Sequence, residues 1–255
     1  MTHLPAFSLT LEHYEDIAPS TRHFTFQADQ KVPFMPGQFI TLLWNYQGTV
    51  LHRNYSLANY SGYDPAQPNR LELAATYVED GFASQQLFKM QPGSKIEATG
   101  PFGRLTLRDE PVKRYLMIAT GAGVTPYRTM FSSFVERMRQ DPDLNILLLF
   151  GVRYSQDLLY RNELAHFAEQ NPRFTWQVYY SQETHLTHDY EHSGYVTKAL
   201  DESFQVIPGH DIAYLCGNPK MVDDAYNLLR TKGLLSQHIR REKYVSPKKS
   251  ANKTS

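Results

Sequence analysis

The chain has 255 residues, with Lys+Arg and Asp+Glu balanced at 26 each and a single cysteine, Cys216. That balance leaves no overall field to draw the protein to nucleic acid or an anionic membrane, and one cysteine excludes an internal disulfide, a Cys-rich zinc site or a four-cysteine iron–sulfur cluster within the chain. No apolar run approaches the roughly 20 residues that span a bilayer, and the first residues lack the basic stretch and apolar core of a signal peptide, so a cytoplasmic protein is expected.

Residues 1–109 read as an antiparallel β-barrel. Segments 7–11, 23–26, 39–43, 71–78 and 95–99 have strand composition and alternation. Turn signals separate them, among them Pro33, Pro36-Gly37 and Pro92-Gly93. Short strands at this spacing suggest a small closed barrel. The polar, turn-rich stretch 60–69 carries no assigned role. From Val112 strands and helices alternate, which argues for a parallel sheet covered by helices over residues 110–245. Strands are expected at 115–119, 144–150, 175–180 and 212–215, with helices at 156–168, 196–200 and 219–232. Residues 246–255 are Lys- and Ser-rich and read as a flexible basic tail.

The stretch 115–130 organises the chain. An apolar run fit for a strand buried on both faces leads into Gly121-Ala122-Gly123, then into Pro126, suited to the first turn of a helix. Met130, Phe131, Phe134, Val135 and Met138 follow at helical spacing. This arrangement brings backbone amides and a helix start to a phosphate, although a structural turn would look the same.

Further groupings carry chemistry. In His52-Arg53-Asn54-Tyr55-Ser56-Leu57, an arginine can fork onto a diphosphate, a tyrosine offers a flat face to a ring and a serine hydroxyl can bond a polar ring edge; an ordinary barrel strand is the bland alternative. In Asp80-Gly81-Phe82-Ala83-Ser84, Ser84 is placed to cap a helix through Leu87, either as plain capping or as an anion site. Gly100-Pro101-Phe102-Gly103 makes a rigid turn. Cys216-Gly217-Asn218-Pro219 lies at a strand end beside a glycine turn, where open α/β sheets bind ligands, although buried cysteines are usually inert. His185, His188 and His192 have a spacing that would suit metal ligation on a helix. They lie in a polar stretch without apolar support, so a solvated loop and no metal are expected.

In this order the residues resemble the ferredoxin–NADP(+) reductase family, including bacterial ferredoxin/flavodoxin reductases. The family patterns are R-x-Y-S at Arg53 to Ser56, G-x-x-S at Gly81 to Ser84, G-x-G-x-x-P at Gly121 to Pro126 and C-G-x-P at Cys216 to Pro219. The resemblance runs to Glu242-Lys243-Tyr244. It implies an FAD-binding barrel followed by an NAD(P)H-binding α/β domain. It also implies that Arg53 holds the FAD diphosphate, Tyr55 packs on the flavin ring and Ser56 faces its reactive edge. Asn54, Thr76, Gly81, Phe82, Ala83 and Ser84 complete the FAD side. Gly121, Gly123 and Thr125 then meet the diphosphate of the nicotinamide nucleotide, Cys216 lies by its ring and Tyr244 covers the flavin, with Ser56, Cys216 and Tyr244 as catalytic residues.

The sequence departs from the family's pattern at coenzyme selection. Ser181-Gln182-Glu183 stands where many NADP-selective bacterial members have Ser-Arg-Glu, and Tyr195 stands where a second arginine is common. Arg153 with Gln182, and in second place Arg161, are then the candidates for the 2′-phosphate, for a modest NADPH preference. The expectation is a monomeric FAD enzyme passing electrons from NADPH to a separate ferredoxin or flavodoxin. The alternatives are the reductase component of a multicomponent oxygenase or a non-catalytic flavin or nucleotide sensor.

Overall fold

The computed structural model describes residues 5–202 and 204–245. In its first half, β1 (Phe7–Ala18), β2 (Thr21–Ala28), β3 (Phe39–Tyr46), β4 (Thr49–Ser56), β5 (Arg70–Thr76) and β6 (Lys95–Phe102) form an antiparallel sheet in the order β4-β3-β6-β1-β2-β5. Alternate side chains point inward, so Leu9, Leu11, Phe24, Phe26, Ile40, Leu42, Leu71 and Leu73 share one core. Just past β4, Leu57 bridges Leu73 of β5, and the Ala58 N–H donates to the Glu72 carbonyl at 2.7 Å. The two edge strands therefore meet and the sheet closes. Helix α1 (Phe82–Lys89) contributes Leu87 to this core.

The second half holds β7 (Arg114–Thr120), β8 (Asn145–Val152), β9 (Phe174–Tyr180), β10 (Glu191–Ser193), β11 (Asp211–Gly217) and β12 (Ile239–Lys243), parallel and in the order β10-β9-β8-β7-β11-β12. A strand covered on both faces is apolar throughout. In β7, Tyr115, Met117 and Ala119 pack with Phe131, Phe134 and Met138 of α3 (Phe131–Gln140) and Leu164 and Phe167 of α4 (Arg161–Gln170). Leu116 and Ile118 face the other way, toward α5 (Val196–Glu202) and α6 (Pro219–Thr231). The chain builds outward from β7 to β10 and then returns to place β11 on the other side of β7. The strand order thus reverses between β7 and β11, the position where open α/β sheets take ligands. Among the described residues no helix is long and apolar enough to cross a membrane. The tail at 246–255 lies outside the described residues.

Several local expectations are corrected. The helix expected over 156–168 is a 3-10 turn at Ser155–Asp157 followed by α4, which starts only at Arg161. Leu158 and Leu159 are both buried and Tyr160 adopts a left-handed φ of 57°, which breaks the helical path. The helix after the glycine turn is divided into α2 (Thr125–Arg128) and α3, and Val135 is 43% exposed instead of in the core. Ser84 sits inside α1 and does not cap it. Gly81 occupies the cap position, and the Ser84 hydroxyl bonds the Gly81 carbonyl at 2.9 Å and the Val78 amide at 3.1 Å. Strands β10 and β12 were not expected.

Candidate active site at the junction of the two halves

Beyond β7 the backbone turns through a short 3-10 segment, Gly121–Val124, into α2, with Pro126 in the first turn. Gly121 has φ +51°, and none of the described residues lies within 4 Å of where a Cβ would stand, so this backbone is open on that side. Gly123 does the opposite work: it packs so tightly on the Cys216 carbonyl that no side chain fits. The end of β11 is tied to the end of β7 by the Asn218 N–H, which donates to Thr120 Oγ1 at 2.9 Å, while Asn218 Oδ1 caps α6 through the Lys220 N–H at 2.9 Å. Thr125 is 1% exposed and its hydroxyl has no partner among the described residues. A buried unsatisfied hydroxyl is costly, so beside an open glycine turn it is suited to an incoming acceptor such as a nucleotide phosphate.

Four side chains from three strands and the segment after β12 meet where the halves touch. Tyr244 donates through its hydroxyl to Ser56 Oγ at 2.5 Å, and Ser56 Oγ donates to Glu242 Oε1 at 3.2 Å. Cys216 is fully buried and in register with Glu242 on the adjacent strand, so its thiol shares this junction. The pleat explains the grouping: Glu242 and Tyr244 turn toward the barrel, whereas Arg241 and Lys243 turn toward Asp223 of α6. Burial raises the Glu242 carboxyl above its usual range, against the Ser56 hydrogen bond. Burial, with the Glu242 charge adding to it, lifts the Cys216 thiol well above its ordinary value, and the Tyr244 hydroxyl rises for the same reasons. The thiol is therefore a neutral group lining the junction. Ser56, Cys216 and Tyr244 were singled out from the sequence; Glu242 was not. Its signal was its position two residues before Tyr244, which puts both on one face of a strand.

On the barrel side, Arg53, Asn54 and Tyr55 lie on β4. Arg53 donates to the His52 carbonyl at 2.7 Å and has no carboxylate within salt-bridge distance among the described residues, so its guanidinium has capacity for an anion. Tyr55 is partly buried and packs against the barrel core, and its phenol is pushed up to about 12 by desolvation, against the Arg53 charge. Gly81, Phe82, Ala83 and Ser84 form the start of α1, and the Phe82 ring meets Tyr46 at 4.5 Å. Asn54 Oδ1 accepts from the Thr41 hydroxyl at 2.8 Å, and the Thr76 hydroxyl pairs with that of Thr21 at 3.0 Å. These two side chains are thus engaged within the barrel.

At the far end of the parallel sheet, Arg153 and Gln182 are neighbours: the Gln182 N–H donates to the Arg153 carbonyl at 3.0 Å, and both side chains are exposed. Tyr195, 68% exposed, comes two residues after Ser193, whose hydroxyl donates to the Glu183 carbonyl at 3.1 Å. Arg161 does not join them as expected. Its guanidinium is committed to Glu191 at 2.8 Å and to the Tyr180 hydroxyl at 2.9 Å. The three histidines lie on no helix: His188 stacks on Tyr190, and His192, on β10, stacks on Tyr179.

Residues 8–107 match the oxidoreductase FAD-binding domain family, and residues 117–227 match the oxidoreductase NAD-binding domain family. The chain is 29% identical over 246 residues to ferredoxin–NADP reductase B of Sorangium cellulosum, covering 93% of this chain and 97% of that protein. It is 28% identical to one subunit of the 1,2-phenylacetyl-CoA epoxidase of Escherichia coli, covering 94% of this chain but 68% of that longer protein. The crystal structure of an Amycolatopsis cytochrome P450 reductase superposes with a TM-score of 0.80 at 27% identity, over 96% of this chain and 72% of that one. The barrel, the parallel sheet and the open glycine turn between them are thus those of a flavin-dependent oxidoreductase fed by a nicotinamide nucleotide, and the chain belongs to the ferredoxin–NADP(+) reductase family.

Proposed function

We propose that this chain is a cytoplasmic, monomeric reductase that takes a hydride from NADPH and passes electrons singly to a separate ferredoxin or flavodoxin. The observation that carries this reading is the contact of Ser56 from the barrel with Glu242 and Tyr244 from the parallel sheet, because it joins proton-carrying groups where the two cofactor domains meet. Bound FAD supplies the conversion of a two-electron hydride into one-electron steps. In this reading residues 1–109 hold FAD and residues 110–245 the nucleotide. Arg53 and the start of α1 bind the FAD diphosphate, and Tyr55 offers its ring to the flavin. Gly121, Gly123 and Thr125 orient the nicotinamide nucleotide, whose ring lies beside Cys216. Tyr244 covers the flavin position and must swing aside to admit nicotinamide, which makes it a gate. Glu242, its carboxyl raised by burial, exchanges a proton with the junction through Ser56 Oγ.

Coenzyme choice rests on Arg153. With Arg161 committed to Glu191, Arg153 is the cation beside Gln182 that remains to meet a 2′-phosphate, and Tyr195 can stack on adenine. The neutral Gln182 keeps the preference modest. Anaerobic addition of NADPH should bleach the flavin band faster than NADH does. Losing one charged hydrogen bond costs about 1.5–3 kcal/mol, so Arg153→Ala should erase most of that difference. A protein whose flavin is not bleached by either coenzyme would refute the reductase reading; equal rates in the wild type would refute the NADPH preference alone. A reductase serving an oxygenase directly is the second reading, favoured by the likeness to the epoxidase component.

A further inference from the structure

Away from Ser56, the two halves touch a second time through charges that the redox reading leaves without a role. Arg128 is the last residue of α2, three positions after Thr125, and its side chain is 10% exposed. From there it crosses to the barrel. Nη1 donates to Glu72 Oε2 on β5 at 2.9 Å and to the Ala58 carbonyl. Nε and Nη2 fork onto Glu163 of α4 at 2.6 and 2.9 Å. The Arg128 carbonyl accepts from the Ser61 N–H at 3.3 Å. Glu72 is held on its other sides by His23 Nε2 at 3.3 Å and Arg70 Nε at 2.9 Å. Burial alone would raise the Glu72 carboxyl, but hydrogen bonds from His23 and Arg128 and their charges bring it down to about 2.

Compared with apolar residues in the same place, ion pairs removed from water add little net stability, because desolvation offsets most of their attraction, although removing one partner alone is costly. What they do supply is a narrow geometry: a planar fork satisfies its partners in one orientation. The geometry enforced here involves both ends of the active site. Ala58, whose carbonyl Arg128 holds, is two residues from Ser56. Arg128 itself closes the helix that opens at Thr125, directly after the Gly121–Val124 turn. One guanidinium therefore fixes the barrel's serine segment relative to the nucleotide turn of the parallel sheet.

We propose that Arg128 is a positioning residue for hydride transfer, setting the distance between the flavin and nicotinamide subsites, with Glu72 and Glu163 as its anchors. This rests on the reductase reading above. Hydride transfer needs donor and acceptor within about 3–3.5 Å, and a misplacement of about 1 Å can cost 10²-fold, so a small rotation of one half on the other is enough to matter.

The test uses the FAD-loaded full chain and two readouts. One is single-turnover flavin reduction at saturating NADPH. The other is labelling of Cys216 by a maleimide without any nucleotide: as the chain's only cysteine, and fully buried at the junction, it reports opening independently of catalysis. Arg128→Lys keeps the charge, but one ammonium cannot fork onto Glu163 while reaching Glu72 and Ala58. It should retain FAD and NADPH affinity, slow reduction by about tenfold or more, and speed labelling by a similar factor. Glu163→Gln, which removes only the outer anchor, should shift both readouts in the same direction by less. A folded, FAD-loaded Arg128→Lys protein with wild-type reduction and labelling overturns the proposal; where that variant does not fold, wild-type behaviour of Glu163→Gln does so. Failure of NADPH to reduce the wild-type flavin would instead strike the reductase reading, and the labelling comparison would still judge whether Arg128 holds the junction closed.

Discussion

At the scale of single residues, the junction pairs groups whose protonation is set by burial. Cys216 and Tyr244 are held neutral, which leaves Glu242 as the member that can change charge, its carboxyl raised above the ordinary value because burial outweighs its hydrogen bond from Ser56. Glu242→Gln preserves the shape and an acceptor for Ser56 but removes the exchangeable carboxyl proton. General acid–base contributions run from about 10² to 10⁴, so turnover with an artificial acceptor should fall by about 10²-fold while bound FAD and the NADPH KM stay near wild type. The sign of the pH effect follows from the raised value. The wild-type rate should decline as pH rises through the Glu242 pKa, because the donor is then lost, and the Gln variant should lack that limb. Steady-state profiles of both proteins check this; a variant with wild-type rate and profile would remove Glu242 from the site.

At the scale of elements, legibility in the sequence tracks how local the cause of each element is. The β7–turn–α2 unit was readable because its apolar run, paired glycines and proline each impose a backbone state without outside help. The buried barrel strands were readable from alternation. Strand β12 was not: Ile239–Lys243 is mostly charged, and its extended form comes from pairing with β11 and from Asp223 of α6, which holds Lys243 at 2.7 Å. Glu242 was missed together with its strand. The start of α4 was placed too early because the Tyr160 backbone serves a distant contact, its hydroxyl lying 2.9 Å from His23 Nδ1. Ser84 misled for a similar reason, since its hydroxyl stitches the loop at Val78 instead of the helix end. The end of β12 yields its own prediction. The Tyr244 N–H donates to the Gly217 carbonyl at 2.8 Å, so the residues just past the strand still belong to the sheet. A chain ended before Lys243 loses both this tie and the Tyr244 hydroxyl; it should show altered flavin fluorescence and nucleotide affinity. A chain ended after Pro247 keeps both and should match the full protein. Identical behaviour of the two truncations would show that Tyr244 neither covers nor gates the site.

At the scale of the whole molecule, two depressed carboxylates are also buried and so govern stability in acid, and of these only Glu72 joins the halves. Glu72 and Glu191 are each lowered from 4.5 to about 2, in both cases against a burial penalty: Glu72 by His23 and Arg128, Glu191 by Thr187, Arg161 and Tyr180. A depressed folded-state value means that the stabilisation is complete above the unfolded pKa and is lost as pH falls through the folded one. The window therefore runs from 4.5 down to about 2. Glu242, raised by burial, works in the opposite sense and cannot produce this loss. Discounted for residual solvent screening, the Glu72 contribution is on the order of 2–3 kcal/mol. Glu72→Gln should lower stability at neutral pH by about that amount and flatten the acid limb of a urea-midpoint profile. Its second effect separates it from Glu191. Because the Glu72 partners lie on β2, on β5 and, through Arg128, on α2, its loss uncouples barrel from parallel sheet, and calorimetry at neutral pH should resolve two transitions. Glu191 binds within the parallel half, so Glu191→Gln should lower stability while leaving the number of transitions unchanged. A single cooperative transition in Glu72→Gln, with an acid limb as steep as the wild type's, would show that the apolar contacts between the halves hold the molecule together without the ion network.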